Sequence, residues 1–379
     1  MPVTISGTNG VTFPDSSLQG AAASPNVLKN RIINGDMRID QRNAGASVTP
    51  SSNAQYTLDR WNVTLVGATS KFSVQQNAAS VTPPTGFRNY LGVTSLSAYT
   101  VAAGDIQSIN QQIEGYNFAD LGWGTASAQT VTLSFWVRSS LTGTFGGALR
   151  NENDNRSYPF TYTISSANTW EQKTVTIAGD TSGTWTGSTN GIGVRLCFNL
   201  GTGTTYSGTA SSWSSNLYVS ATGATSVVGT NGATFYITGV QLEQNTSATP
   251  FERRLYNQEL ANCQRYFEKS YESATIPGTA SATGYAASAV SSNTVPLGQA
   301  YSQICFNVSK RASPTVTLYG YQGGSGKVSN WNTGADLAAT SGLVTTSSPQ
   351  GFNAYNGAGA TLATGNFGVI YHWIASIEL

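Results

Sequence analysis

The stretch Val131-Thr132-Leu133-Ser134-Phe135-Trp136-Val137 decides the fold class. Val131, Leu133, Phe135 and Val137 hold one set of alternate positions, and Thr132, Ser134 and Trp136 hold the other. Successive side chains of a strand point to opposite faces, so this order gives one apolar face and one mixed face. Working outward, the runs YTLDRWNVTLV, KFSVQQN, FTYTI, KTVTI, IGVRLCFNL and FYITGVQLE are also rich in β-branched and aromatic residues. Gly, Asn and Ser turns separate them. Strands this short and this closely spaced predict a β-sandwich or jelly roll over residues 26–250, and no strand–helix alternation supports a parallel α/β sheet.

Composition agrees. The chain has 379 residues, 41 of them Gly, and only 37 charged side chains with a formal net charge of +1. Its surface must therefore be made by Ser, Thr, Asn and Gln, and no global field is present to draw nucleic acid or an anionic membrane. No run of 18 apolar residues occurs, so no membrane insertion is expected. The start, MPVTISGTNG, lacks the basic and apolar regions of a signal peptide. Residues 1–25 hold too few apolar side chains for a core and read as an arm ordered by pairing. Cys197, Cys263 and Cys305 are far apart, with no zinc spacing, and read as small buried hydrophobes.

One helix interrupts the β pattern. In FERRLYNQELANCQRYFEKS, Tyr256, Leu260, Cys263 and Phe267 recur at i, i+4, i+7 and i+11. The spacing predicts an amphipathic helix over 252–270, inside a connector at 251–272, its stripe buried between β domains or against copies of itself. Beyond it, residues 273–379 carry only two carboxylates, Asp336 and Glu378, beside eleven aromatics. Alternating runs such as PTVTLYGY and FGVIYHWIASIEL predict a second, smaller β-sandwich.

The residues of catalysis are scarce. Serine or cysteine nucleophiles need an imidazole base, and the single histidine, His372, stands in a strand beside Trp373, where a core role fits it. Glu152 and Asp154 alternate with Arg150 and Arg156 and read as a solvated turn rather than a glycosidase pair. GGSGK lacks the spacing of a phosphate loop. Calcium ligation by carboxylates and carbonyls stays open, although no EF-hand spacing is present. No cofactor is expected. Sugars offer flat C–H faces to rings and hydroxyls to amides, so Tyr319, Tyr321, Trp331, Phe352 and Tyr355, set near Gly- and Asn-rich turns, are the candidate glycan contacts.

The segment 30–43, NRIINGDMRIDQRN, concentrates charge. Asp36, Arg38, Asp40 and Arg42 alternate with Met37, Ile39 and Gln41. It reads as a strand after an Asn34-Gly35 turn, with Met37 and Ile39 inward and the charges on the other face. In a chain this poor in charge, the stripe is expected at a domain junction or interface, with YTLDRW nearby.

NGDMRIDQRNAG followed by YTLDRW resembles the leading motif of tailed-phage and prophage virion proteins of the tail-fibre type. The likeness continues through LSFWVRSS, WEQKTVTI and GVQLE to PFERRLYNQELANCQRYFEKS, about residues 26–270, and those strands also resemble a carbohydrate-binding jelly roll. The resemblance implies an all-β homotrimeric fibre without catalysis. Residues 1–25 would attach it to other virion proteins of the tail, adaptor or capsid, and residues 273–379 would meet host polysaccharide or lipopolysaccharide. It would be assembled in the bacterial cytoplasm and carried on the virion, with Tyr256, Leu260, Cys263 and Phe267 at the trimer interface. A purely architectural head fibre, collar or decoration protein is the alternative. A polysaccharide depolymerase fits less well, because no long repeat is visible.

Overall fold

The computed structural model describes residues 4–6, 10–12, 18–19, 29–289, 301–337, 343–356 and 368–379. It is almost entirely β, with one α-helix among the described residues. The first strands, β1 (Thr4–Ser6), β2 (Gly10–Thr12) and β3 (Leu18–Gln19), form an antiparallel meander. The remainder of the expected arm lies outside the described residues.

The next strands are β4 (Tyr56–Leu58), β5 (Trp61–Val66), β6 (Phe72–Gln76), β7 (Leu91–Ser95), β8 (Ile106–Glu114) and β9 (Val131–Ser139). They are followed by β10 (Gly143–Arg150), β11 (Ser157–Ile164), β12 (Glu171–Ile177), β13 (Ile192–Thr202), the short parallel pair β14 (Ser207–Gly208) and β15 (Ser220–Ala221), and β16 (Thr234–Gln244). Two antiparallel sheets result, ordered β11-β10-β13-β8-β5-β4 and β12-β9-β16-β7-β6. They enclose one core to which β9 gives Val131, Leu133, Phe135 and Val137, all fully buried. Phe135 meets Phe198 and Tyr162 edge-on, with centroids 5.0 and 4.9 Å apart. Such contacts add about 0.5–1.5 kcal/mol each beyond the area they bury.

The segment 30–43 is not a strand. Asn34 and Met37 both have φ 58°, in the left-handed region that breaks extended pairing. Asn34 is wholly buried and organises its surroundings. Its Nδ2 donates to the carbonyls of Ile39 (2.8 Å) and Asp59 (2.9 Å), its Oδ1 accepts from Ile39 N, and its own carbonyl accepts from Trp61 Nε1 at 3.0 Å. Gly35 docks on β16, where the register with β9 shifts between Thr238 and Gln241. Val240 N donates to Gly35 O at 2.9 Å, and a Cβ on Gly35 would lie 2.2 Å from Val240 O. Met37 and Ile39 do point inward. Asp40, expected on the opposite face, is also buried, and its carboxylate accepts from the backbone N–H of Asn43 (2.9 Å) and Gly45 (2.8 Å).

Helix α1 covers only Tyr256–Gln264. Phe267, expected on its stripe, belongs to β17 (Phe267–Lys269) instead. Arg265 and Tyr266 end the helix by gripping Glu114 of β8. Arg265 Nε and Nη2 lie 2.8 and 2.6 Å from its carboxylate, and Tyr266 OH donates at 2.6 Å. Two and a half turns give too short a seam for the expected stripe. Tyr256 is 48% exposed, Leu260 is half-buried, and Cys263 and Phe267 are buried within the chain itself.

The last strands are β18 (Ala286–Ala289), β19 (Tyr301–Cys305), β20 (Thr315–Tyr319), β21 (Ser329–Asn330), β22 (Leu343–Ser348), β23 (Gly351–Asn356) and β24 (Gly368–Ser376). β24 is the axis: its first half pairs with β18 and β21, its second with β17 and β20. The sheet β19-β23-β22 closes a second core, in which Phe352 packs on Trp373 (5.5 Å, 70°) and Phe306 (5.9 Å). Cys197 and Cys263 are buried as expected, whereas Cys305, at the end of edge strand β19, is exposed.

Candidate glycan-contact surface

The surface is built on β24. His372 lies there fully buried. Its Nε2 is 3.1 Å from Ser281 O, and its Nδ1 is 3.1 Å from Ser270 Oγ, which accepts from Trp373 N. A neutral imidazole with the proton on Nε2 satisfies this pattern, and burial holds its pKa below the usual histidine range. Tyr271 stacks on the ring at 3.9 Å and 14°, and Tyr319 meets Tyr271 edge-on at 6.1 Å. On the other side, Tyr285 stands edge-on to His372 at 6.4 Å and to Tyr321 at 6.3 Å. The aromatic chain thus runs from the interior outward, to a Tyr285 that is 40% exposed. The histidine is the foundation of the surface rather than a base in it.

Asp336 fixes the two loops that carry the outer residues. Its Oδ1 accepts from Ser329 Oγ (2.6 Å) and Gln322 N (3.2 Å), and its Oδ2 accepts from Gly324 N (3.0 Å). One carboxylate therefore ties the 320–326 loop, with Tyr321 and Gln322, to the loop bearing Trp331. Gln322 Nε2 also donates to Gly334 O at 3.3 Å. Trp331 is 50% exposed, while its backbone N–H is held by Gly368 O. The result is a rigid rim of exposed ring and amide groups, suited to a flat, hydroxylated ligand.

Of the five residues chosen from sequence, the structure gathers Tyr319, Tyr321 and Trp331 near these loops, with Tyr319 half-buried beneath them. Phe352 is 2% exposed and belongs to the core, because its position in β23 faces Trp373 rather than solvent. Tyr355 lies in β23, and its side chain falls outside the described residues. Sequence reasoning missed Tyr285, Tyr271 and Asp336. Asp336 was visible as the lone carboxylate among 273–377, which is a signal for a tethering role. Glu152 and Asp154 lie in the turn between β10 and β11, where Asp154 pairs with Arg150 at 3.1 Å. No group of three or more His, Cys, Asp or Glu among the described residues is placed to hold a metal ion.

The charged segment forms the junction between the two cores. Arg42 Nη2 donates to Glu378 (2.6 Å), and its guanidinium covers the Phe267 ring at 3.9 Å. Gln41 Nε2 bridges Asp59 Oδ2 (2.8 Å) and Phe267 O (3.0 Å). Arg311 reaches from the second core to Asn190 O at 2.6 Å. A cleft of about 220 Å³, lined in part by Arg38, Asp40, Gln76 and Tyr256, opens beside it. The stripe and YTLDRW therefore do meet at a domain junction, as expected, although the stripe is not a strand.

No protein-family model matches the chain, and no curated protein does. Solved structures resemble it in part. The enzymatically active domain of tailspike protein 4 of bacteriophage CBA120 aligns over 58% of this chain at 14% identity and TM-score 0.32, and the alignment spans only 22% of that tailspike chain. A presumed sugar-binding protein from Bacteroides thetaiotaomicron aligns over 57% of this chain and all of its own, at 11% identity and TM-score 0.35. The family 11 carbohydrate-binding module from Clostridium thermocellum, in complex with a β-1,3-1,4-mixed-linked tetrasaccharide, aligns over 53% of this chain and 97% of its own, at 12% identity and TM-score 0.27.

Proposed function

We propose that the chain is a non-enzymatic fibre subunit of a tailed-phage virion, attached through its N-terminal arm, that recognises a host-surface glycan with the loops around Trp331. The observation that carries this reading is the rim itself. A half-exposed tryptophan and the half-buried Tyr321 are held beside amide groups by loops that a single carboxylate pins, and the 40%-exposed Tyr285 packs edge-on against Tyr321. Exposed rings cost hydration, and rigid ones lose little entropy when a ligand covers them. The motifs of residues 26–270 support the fibre assignment, and homotrimeric assembly belongs to the same reading.

Adsorption competition tests it. Purified full-length protein should bind host cells and block infection, and Trp331→Ala should lose both effects while remaining folded. Protein that neither binds cells nor competes would sink the receptor role and favour an architectural subunit. Native mass measurement of the full chain tests the trimer, and a monomer at micromolar concentration would remove it.

A further inference from the structure

We propose that the outer face of the five-stranded sheet carries a second saccharide site, centred on Trp136 and selective for acidic sugars. The face that Thr132, Ser134 and Trp136 share on β9 looks away from the core. The register sets Gln172 of edge strand β12 directly opposite Trp136, and Thr174 opposite Ser134. Continuing that register by one pair places Trp170 beside Arg138, diagonal to Trp136. Trp136, Trp170 and Arg138 are half-buried, while Gln172 and Thr174 are exposed. An aromatic pair interleaved with an amide, a hydroxyl and a guanidinium is a platform for a pyranose ring and its substituents.

The platform is walled and stiff. Trp170 Nε1 donates to Thr82 O at 2.9 Å, which ties the 77–90 loop across the sheet. On the other side Gly239, at φ 62° in the irregular part of β16, leaves room for Phe87. A Cβ there would lie 2.6 Å from the Phe87 ring and 3.3 Å from Trp136. Phe87 meets Phe251 edge-on at 5.2 Å, and the exposed guanidinium of Arg253 lies over both rings, at 4.7 and 5.7 Å. Arg138 Nε donates to Asn168 O at 3.0 Å, and its guanidinium lies 5.5 Å from the Tyr236 ring.

The charge of the ligand follows from these two arginines. Among the described residues neither Arg138 nor Arg253 has a carboxylate within 4.0 Å, although most arginines of this charge-poor chain are paired. Asp36, which the charge of Arg253 also reaches, is itself committed to Arg38 at 3.2 Å. Guanidinium groups flanking a tryptophan match a sugar that carries a carboxylate.

This site takes its ligand class from the glycan-binding reading, but its test is separate. The full chain is titrated with oligogalacturonate, oligomannuronate and a hyaluronan hexasaccharide, with neutral galactan oligomers as the contrast, by tryptophan fluorescence and calorimetry. At least one acidic oligomer should bind. Trp136→Ala and Gln172→Glu should each weaken it about tenfold, and Trp331→Ala should leave it unchanged. Gln172 is exposed, so that variant keeps the test alive if Trp136→Ala fails to fold. The proposal is overturned if none of the acidic oligomers binds, if both variants bind like the parent, or if neutral galactan binds equally well. Loss of host-cell binding in Trp331→Ala beside failed titrations would remove this site alone. Successful titrations beside intact cell binding in Trp331→Ala would remove the C-terminal reading instead.

Discussion

Arg60 of the first sandwich donates to Glu378, one residue from the end of the chain, while its guanidinium lies 3.6 Å from the centre of the Tyr266 ring. Its second amino group donates to Gln112 O at 2.6 Å. A fully buried arginine thus joins three parts of the molecule: β8, the segment leaving α1 and the C-terminal tail. Removing one partner of a buried ion pair leaves the other uncompensated, which costs about 3–5 kcal/mol. Arg60→Ala should therefore uncouple the two cores. Urea denaturation followed by fluorescence should change from one transition to two, the smaller core melting first. A single transition with an unchanged midpoint would show that Arg60 does not hold the junction.

Asp59 makes that junction sensitive to pH. Burial pushes its carboxyl up to about 7, against the opposing effects of Arg42, 3.5 Å away, and the two hydrogen bonds from Gln41. The folded chain then holds a proton that the unfolded chain, with its value near 3.8, has released. Asp59 thus contributes stability that is fully present below pH 3.8 and is lost as pH rises through about 7. Between those limits the slope is at most about 1.4 kcal/mol per pH unit. Asp59→Asn should remove this slope, gaining on the parent as pH increases from 4 to 7. Parallel stability profiles for the two proteins would show that Asp59 does not titrate in that window.

The β architecture was legible because period-2 alternation is a local property, and Val131 to Val137 carries it without help from the rest of the chain. Two elements misled for physical reasons. Phe267 has helical spacing from Tyr256, but Arg265 and Tyr266 find Glu114, 151 and 152 residues away, and the chain turns into a strand beside β24. The alternation of charge at 36–42 likewise has the period of a strand, yet Asn34 and Met37 adopt left-handed geometry because Asn34 is satisfied by Ile39 within the segment and by Asp59 on another. At the candidate surface, Trp331 and Tyr321 were legible as aromatics in Gly- and Asn-rich loops. Phe352 looked the same in sequence, and only the facing β24 reveals it as core.

Asn34 carries more hydrogen bonds than its length suggests, and replacing it tests the leading segment directly. Asn34→Ala strands the carbonyls of Ile39 and Asp59 and the N–H of Ile39 in a dry interior. Each unsatisfied buried group costs about 1–3 kcal/mol. Asn34→Ala should therefore be strongly destabilising in thermal melts, whereas Asn43→Ala, at a half-buried position with a single side-chain bond to Thr57 O, should cost far less. Equal losses in the two variants would mean that Asn34 is not the organising residue.

Trp331 and Phe352 offer a test of recognition against packing within one domain. Both are aromatic residues in turn-rich sequence, but Trp331 is 50% exposed and Phe352 is 2% exposed between Trp373 and Phe306. Truncating a buried phenylalanine removes its transfer free energy and leaves a cavity, together about 3–5 kcal/mol. A surface ring held through its backbone, as Trp331 is by Gly368, can be lost with a change within about 0.5 kcal/mol. Phe352→Ala should lower the melting temperature of the smaller core and lose cell binding only as that core unfolds. Trp331→Ala should melt like the parent and still fail to bind. If Trp331→Ala unfolds instead, the ring is structural and the rim around Asp336 is not the receptor surface. If it folds and binds normally, recognition lies elsewhere on the chain, and the platform at Trp136 becomes the first place to look.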